Sequence, residues 1–334
     1  MKRFIILAFL TSCVFADEFV PIAAMHESGS IVNTTFFNAG GAFPANAASA
    51  SLNPAIPAAW HFASQSMVSA FGSFYKSDYF DYRKSGGGGS LALGMGQYFA
   101  AEYNLKNEIS GDKKFHRGTV AYGAMLDDNE DDPLFIGFNI SYYNSAGNIH
   151  RSEPIETILA KNNVIAADLG FYQPGNNAVG LSWGIVLENI LGYCWNNYGG
   201  EKSNNMLNRR YNSFLLATNL SLPLVGDKAL LMVPLDIRFW GFMNRDLRKT
   251  SEHHRIKHRA EVHSGAELQL GTKICGRFGW AWIPEKYATA EDGQLKLSGW
   301  GNRFNGGFGI NIGIIMFDAL FSKDTFGLGA SFQI

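Results

Sequence analysis

The sequence predicts an all-β protein: a transmembrane antiparallel β-barrel of about 14 strands (roughly 12 to 16), with a short N-terminal plug-like segment. Three observations lead to this fold class. Short segments alternate between large apolar residues and small or polar residues. Aromatic residues make up 14% of the chain and charged residues only 17%. Beyond the N-terminus, no run approaches the ~18 consecutive apolar residues of a membrane helix.

The chain begins with the pattern of a secretory signal. Residues 1–3 are basic at two of three positions, residues 4–10 are apolar, and small or branched residues precede Asp17. We therefore expect residues 1–16 to be a signal peptide that directs the protein to the outer membrane of a Gram-negative-type bacterium. A lipobox-like stretch ending at Cys13 is the alternative, and it would make Cys13 a lipidated N-terminus.

Residues 17–60 are rich in Ala, Asn, Ser and Gly and show little alternation, so we interpret them as a hatch or plug-like segment. Residues 61–334 form the predicted barrel. Alternation is clearest at the C-terminus, where Phe326, Leu328 and Phe332 share one strand face. Barrel closure favours an even strand number, which extends the thirteen segments seen here to about 14. These segments are 66–75, 90–103, 119–125, 134–143, 165–172, 181–188, 213–222, 235–242, 259–270, 274–282, 308–312, 314–321 and 326–334.

A soluble β-sandwich would also alternate, but its outer face would carry Lys, Glu and Thr. Here the second face is mainly Gly, Ser, Asn and isolated charges. Residues 85–90 are Gly-rich without the Gly-Lys-Ser/Thr ending of a phosphate loop, so we expect a flexible hairpin loop there. The acidic residues 127–132 are interpreted as a solvated turn. The basic stretch 245–259 is interpreted as an extramembrane loop that could meet lipid phosphates or an acidic partner.

Several motifs follow one another in an order that resembles a known superfamily. The N-terminal ones are Gly40-Gly41-Ala42-Phe43, the small residues 47–50 and Leu52-Asn53-Pro54-Ala55. Later ones are Ala167-Asp168-Leu169-Gly170, Leu187-Glu188-Asn189-Ile190-Leu191-Gly192, Ser221-Leu222-Pro223-Leu224, Gly265-Ala266-Glu267 and Arg277-Phe278-Gly279-Trp280. Together they resemble the superfamily of FadL-type long-chain fatty-acid transporters and PorV/PorQ proteins. The short mature chain favours the PorV/PorQ-like branch, whereas Ile334 departs from the usual terminal aromatic.

The resemblance implies two alternative functions. In the first, the barrel transports a hydrophobic small molecule across the outer membrane, and large apolar hatch residues bind it: Phe36, Phe37, Phe43 and Trp60. In the second, the barrel is a docking or shuttle component of a type IX-like secretion system and binds an exported protein. Either protein would contact outer-membrane lipid and require the barrel-assembly machinery during biogenesis.

Isolated charges on the predicted inner face have two interpretations. They could line a pathway and set its selectivity, or they could form a salt-bridge network that braces a narrow or plugged lumen, which we favour because isolated buried charges are costly. These residues are Asp168, Glu188, Asp236, Arg238, Arg259, Glu261, Glu267, Arg277 and Asp318.

Other functional classes find little support in the sequence. There is no Gly-x-Ser-x-Gly or His-Glu-x-x-His motif, so we expect neither an enzyme nor a cofactor. The net charge of -1 argues against nucleic acid as the partner. His254 and His258 share a strand face, but neighbouring Arg and Lys would repel a metal cation. Cys194 and Cys275 are expected to be isolated thiols.

Overall fold

A computed structural model describes most of the barrel and two parts of the N-terminal segment. The described residues are 35–36, 39–43, 52–61, 66–77, 82–94, 98–108, 114–127, 132–152, 155–175, 180–198, 201–206, 213–226, 228–240, 259–289, 295–322 and 325–333. The predicted signal peptide, Phe37, Ile334 and residues 245–258 of the basic stretch lie outside these ranges.

One helix and fifteen strands lie within the described residues. The helix α1 (Ile56–His61) has six residues, and no described helix is long and apolar enough to cross a membrane. The strands are β1 (Met67–Ser77), β2 (Tyr82–Gly94), β3 (Tyr98–Glu108), β4 (Lys114–Asp127), β5 (Leu134–Ser152), β6 (Ile155–Gln173), β7 (Leu181–Tyr198), β8 (Glu201–Met206), β9 (Ser213–Pro223), β10 (Ala229–Trp240), β11 (Arg259–Leu270), β12 (Ile274–Thr289), β13 (Leu295–Ile312), β14 (Ile315–Phe321) and β15 (Thr325–Gln333).

The strands pair in a ring. Antiparallel pairings run from β1 to β7, pass to β9, continue to β15 and return to β1, so fourteen of the described strands follow one another around the ring. The short β8 pairs with β7 over Tyr193–Tyr198, beyond the part of β7 that pairs with β9. A ring leaves no strand edge in the lipid, where unpaired backbone groups are costly. The predicted fold class is confirmed.

Where the structure describes the side chains, the two faces of a strand differ as the alternation predicted. On β12, Ile274 and Phe278 are 54% and 50% exposed, whereas Arg277 between them is 7% exposed. On β15, Phe326 and Leu328 are exposed. Because the outer residues are large and apolar on strand after strand, the outer surface suits contact with lipid chains.

The Gly-rich residues 85–90 are not a hairpin loop, so that prediction was wrong. They lie inside β2, which pairs with β1 on one side and β3 on the other. Pairing on both sides holds the backbone extended although glycine weakens a strand. The ring of Phe71 lies over Gly88, within 2.8 Å of the place where a Cβ would stand.

The predicted strand over residues 90–103 is also wrong, because two strands occupy this stretch. The end of β2 pairs antiparallel with the start of β3, with Gly94 opposite Tyr98. Alternation continues in both strands, so a period of two does not reveal the chain reversal between them. Dividing this segment supplies the fourteenth strand of the ring.

Candidate functional site

The described parts of the N-terminal segment lie against the inner wall of the ring. We call residues 35–36, 39–43 and 52–61 the plug. Phe36, Phe43, Asn53 and Ile56 are all 0% exposed. Helix α1 contacts strands β2 to β6, while Phe36 and Phe43 cluster with Met232 of β10. The plug therefore contacts many strands of the wall and not a single one.

Wall glycines make room for the plug backbone. A Cβ on Gly137 would stand 2.1 Å from the carbonyl oxygen of Pro54, and one on Gly279 would stand 1.8 Å from that of Thr35. Both distances are far below van der Waals contact, so any other residue would displace the plug. The wall glycines with such close plug contacts are Gly123, Gly137, Gly170, Gly184, Gly265, Gly279 and Gly307.

These glycines lie near one end of the ring. Gly137 and Gly184 are the fourth residues of β5 and β7, and Gly279 is the sixth residue of β12. All three strands begin at the end where β1 starts and β15 finishes. The plug consequently occupies the end of the lumen with the short connections, since the two longest links between ring strands, residues 199–212 and 241–258, leave from the other end.

Hydrogen bonds fix the plug to β6 and β10. The Gly41 N–H donates to Oδ2 of Asp236 in β10 at 2.9 Å. The Asn53 amide donates to the Gly41 carbonyl at 2.7 Å and to the Phe171 carbonyl of β6 at 3.0 Å. Asn53 Oδ1 accepts the Ala55 N–H at 3.0 Å, which shapes the turn before α1.

The predicted ligand-binding aromatics have different placements. Phe36 and Phe43 form an edge-to-face pair with ring centroids 5.1 Å apart, and Phe36 also lies against Gly265. Both therefore pack inside the plug and against the wall. Trp60 lies in α1, but its side chain is outside the described structure. Phe37 is outside the described structure altogether.

A first group of charged residues lies further from the short connections than the wall residues that contact the plug do. Arg238 of β10 donates through Nε and Nη2 to the two carboxylate oxygens of Glu188 in β7, both at 3.0 Å. Ser213 also donates to Glu188. This two-bond geometry is the strong form of an arginine–carboxylate pair, and it ties β7 to β10 across β9.

A second group of charged residues lies closer to the short connections than the wall residues that contact the plug do. Arg277 of β12 contacts Glu267 of β11 and Asp318 of β14. Gln269 donates to the second oxygen of Glu267 at 2.6 Å. One buried guanidinium thus neutralises carboxylates from two other strands, which fits a network that braces the wall.

Asp168 supports an irregularity in the wall. The β6–β7 ladder changes register between Ala167 and Leu169, and Asn189 of β7 has a positive φ of 54° there. Asp168 Oδ1 accepts the Asn189 N–H at 2.6 Å. The carboxylate therefore satisfies a backbone donor that the interrupted ladder leaves without its usual partner.

The remaining polar residues of the inner face include some that the sequence reading missed. Glu261 is buried and lies 3.5 Å from His263, whereas the Arg259 side chain is outside the described structure. Arg117 of β4 was missed although it is 1% exposed and donates to Thr119 at 3.1 Å. Extending the alternation of residues 119–125 two positions upstream would have placed Arg117 on the inner face.

The arrangement of the described residues holds a segment of chain in place. Within the described ranges, no group of three or more His, Cys, Asp or Glu side chains could hold a metal ion. Cys275 is a free, buried thiol. The geometry instead presents a wall whose charges and glycines position the plug.

Comparison with known proteins identifies the fold. No protein-family model and no curated protein sequence matches the chain. Among solved structures, the CymD monoaromatic hydrocarbon channel matches with a TM-score of 0.57 at 11% identity, covering 92% of this chain and 97% of that one. The Ralstonia pickettii toluene transporter TbuX matches with a TM-score of 0.54 at 10% identity, covering 92% and 98%. At such identities the shared property is the barrel fold, over nearly the whole of each chain.

Proposed function

We propose that the protein is an outer-membrane channel for small hydrophobic molecules, in which the plug is a movable hatch. The observation that carries the proposal is the site of the plug, a buried segment that is hydrogen-bonded to a wall shaped by glycines. The fold shared with a hydrocarbon channel and a toluene transporter supports this choice of cargo. It also supports the FadL-type part of the family resemblance, while the PorV/PorQ branch stays a prediction.

The orientation follows from general barrel architecture. Outer-membrane barrels place their short turns in the periplasm and their longer loops outside the cell. The plug would therefore obstruct the periplasmic half of the lumen. The two longest links between ring strands support this orientation, because residues 199–212 between β7 and β9 and residues 241–258 between β10 and β11 leave from the other end of the ring.

Uptake by whole cells tests the proposal. Cells that express the protein, in a host without its own hydrocarbon channels, should take up labelled toluene faster than cells with an empty vector, and the rate should saturate. A labelled disaccharide is the matched control and should enter both cell types equally. Faster entry of the sugar would identify an open pore, and unchanged toluene entry would contradict transport.

Co-purification in mild detergent tests the docking alternative. A hydrophobic molecule bound in stoichiometric amount, without a protein partner, is the outcome we expect. A stable exported protein bound to a barrel that holds no small molecule would instead assign the chain to secretion.

A further inference from the structure

We infer that Asp236 sets the balance between the seated and the released plug, an inference that rests on the proposed movement of the plug. Its carboxylate is the wall group that accepts the Gly41 N–H, at 2.9 Å. The Gly41 carbonyl is held by Asn53, which is itself bonded to β6. Asp236 thus occupies one end of a hydrogen-bonded chain that crosses the plug from β10 to β6.

Close packing at Gly41 gives this contact its geometry. A Cβ on Gly41 would stand 2.7 Å from Cβ of Ala217 and 2.9 Å from Cδ2 of Leu215. The plug backbone therefore lies directly on β9 and β10. This approach brings the Gly41 N–H within reach of Asp236, so a small withdrawal of the plug would break the bond.

A buried carboxylate such as Asp236 makes this contact at a cost in free energy. It is 2% exposed, and its Oδ1 has no hydrogen-bond partner in the described part of the structure, although the Gly40 N–H as well as the Gly41 N–H favours the charged carboxylate. Arg238 attracts it but also donates two hydrogen bonds to Glu188, and the Glu188 charge repels Asp236. A buried ion with only some of its hydrogen bonds pays a desolvation penalty that a neutral group avoids.

The two properties of Asp236 act in opposite directions. As an acceptor it holds the plug through Gly41. As a charge it favours release, because water entering behind a departing plug would hydrate the carboxylate. Asp236→Asn keeps an acceptor and removes the charge, so the plug should seat more firmly. Asp236→Ala removes the acceptor, so the plug should loosen.

Hydrogen–deuterium exchange of the full-length protein in detergent tests this inference. Amides of the peptide that contains Gly41 should exchange roughly tenfold more slowly in Asp236→Asn, because the desolvation penalty of the buried charge is gone, and roughly tenfold faster in Asp236→Ala, because a hydrogen bond is lost. Asp168→Asn is the matched control. Asp168 is also buried and accepts a backbone N–H, at 2.6 Å, but from the wall residue Asn189, so plug exchange should not change.

Faster or unchanged plug exchange in Asp236→Asn would overturn the inference, even if Asp236→Ala does not fold. Exchange does not depend on transport, so the two proposals can fail separately. A wild-type protein that takes up no toluene contradicts the proposed function whatever the exchange rates are. Toluene uptake with exchange shifted in the same direction by both variants contradicts the role of Asp236 alone.

Discussion

The two faces of the barrel wall follow the same alternation but obey different constraints. On the outer face of β12, Phe278 is half exposed, stacks on Phe304 with ring centroids 5.9 Å apart and otherwise faces the lipid. On the inner face of the same strand, Arg277 contacts carboxylates from β11 and β14. The outer face therefore requires only apolar residues, whereas the inner face requires a particular residue at a particular position.

Two glycines of one strand show the difference most directly. A Cβ on Gly276, on the outer face, would meet no heavy atom within 4 Å. A Cβ on Gly279, on the inner face, would collide with the Thr35 carbonyl. The same residue type is thus free to change on one face and fixed by shape on the other.

Removing the inner charge of β12 should have the largest effect on stability. Arg277→Met leaves Glu267 and Asp318 buried without their cation, which should cost about 3–5 kcal/mol. The measurement is urea unfolding in lipid vesicles. Lys273→Met, at an exposed position of the turn before β12, is the control and should change stability by less than about 0.5 kcal/mol. Equal costs would show that the buried and the exposed charge are equivalent.

A side chain at the inner glycine should disturb the plug. Gly279→Val should cost about 1–3 kcal/mol through overpacking and make the plug more sensitive to added protease. Gly276→Val is the same change on the outer face and should leave protease sensitivity at the wild-type level. If the two variants behaved alike, the glycines would not be shaping the seat of the plug.

A charge on the outer face should cost an amount that depends on depth. Leu328→Asp should destabilise the barrel by roughly 1–2 kcal/mol, and Phe332→Asp, at the end of β15, by less than about 1 kcal/mol. Folding equilibria in lipid vesicles would measure both costs. Normal insertion of both variants without any loss of stability would contradict the assignment of this face to lipid.

The smallest expected effect concerns the irregularity in β7. Asn189 has a φ of 54°, a conformation that Asn tolerates better than residues with an aliphatic side chain. Asn189→Ala should therefore cost about 1 kcal/mol and Asn189→Gly less, because glycine adopts positive φ freely. Urea unfolding would compare the stability of the two variants. A larger loss for Asn189→Gly would show that the contacts of the Asn189 side chain, and not its backbone conformation, determine the cost.

Much of the wall could be predicted because alternation is a local property. The sequence placed Phe326 and Leu328 on one face and residues such as Glu188 and Arg277 on the other, and the structure has the first pair exposed and the second pair buried. The pattern failed where local rules conflict. Glycine signalled a loop at residues 85–90, yet pairing with β1 and β3 makes that stretch a strand.

The sequence by itself determined the fold class, because a period of two with large apolar residues on one face has few stable solutions other than a barrel in lipid. The tertiary structure decided which residues meet. Arg277 and Asp318 are 41 positions apart, and Gly41 and Asp236 are 195 apart. Such contacts depend on strand order, on register and on the path of the plug through the lumen. These properties arise from the closed ring as a whole, since no short stretch of chain contains both partners.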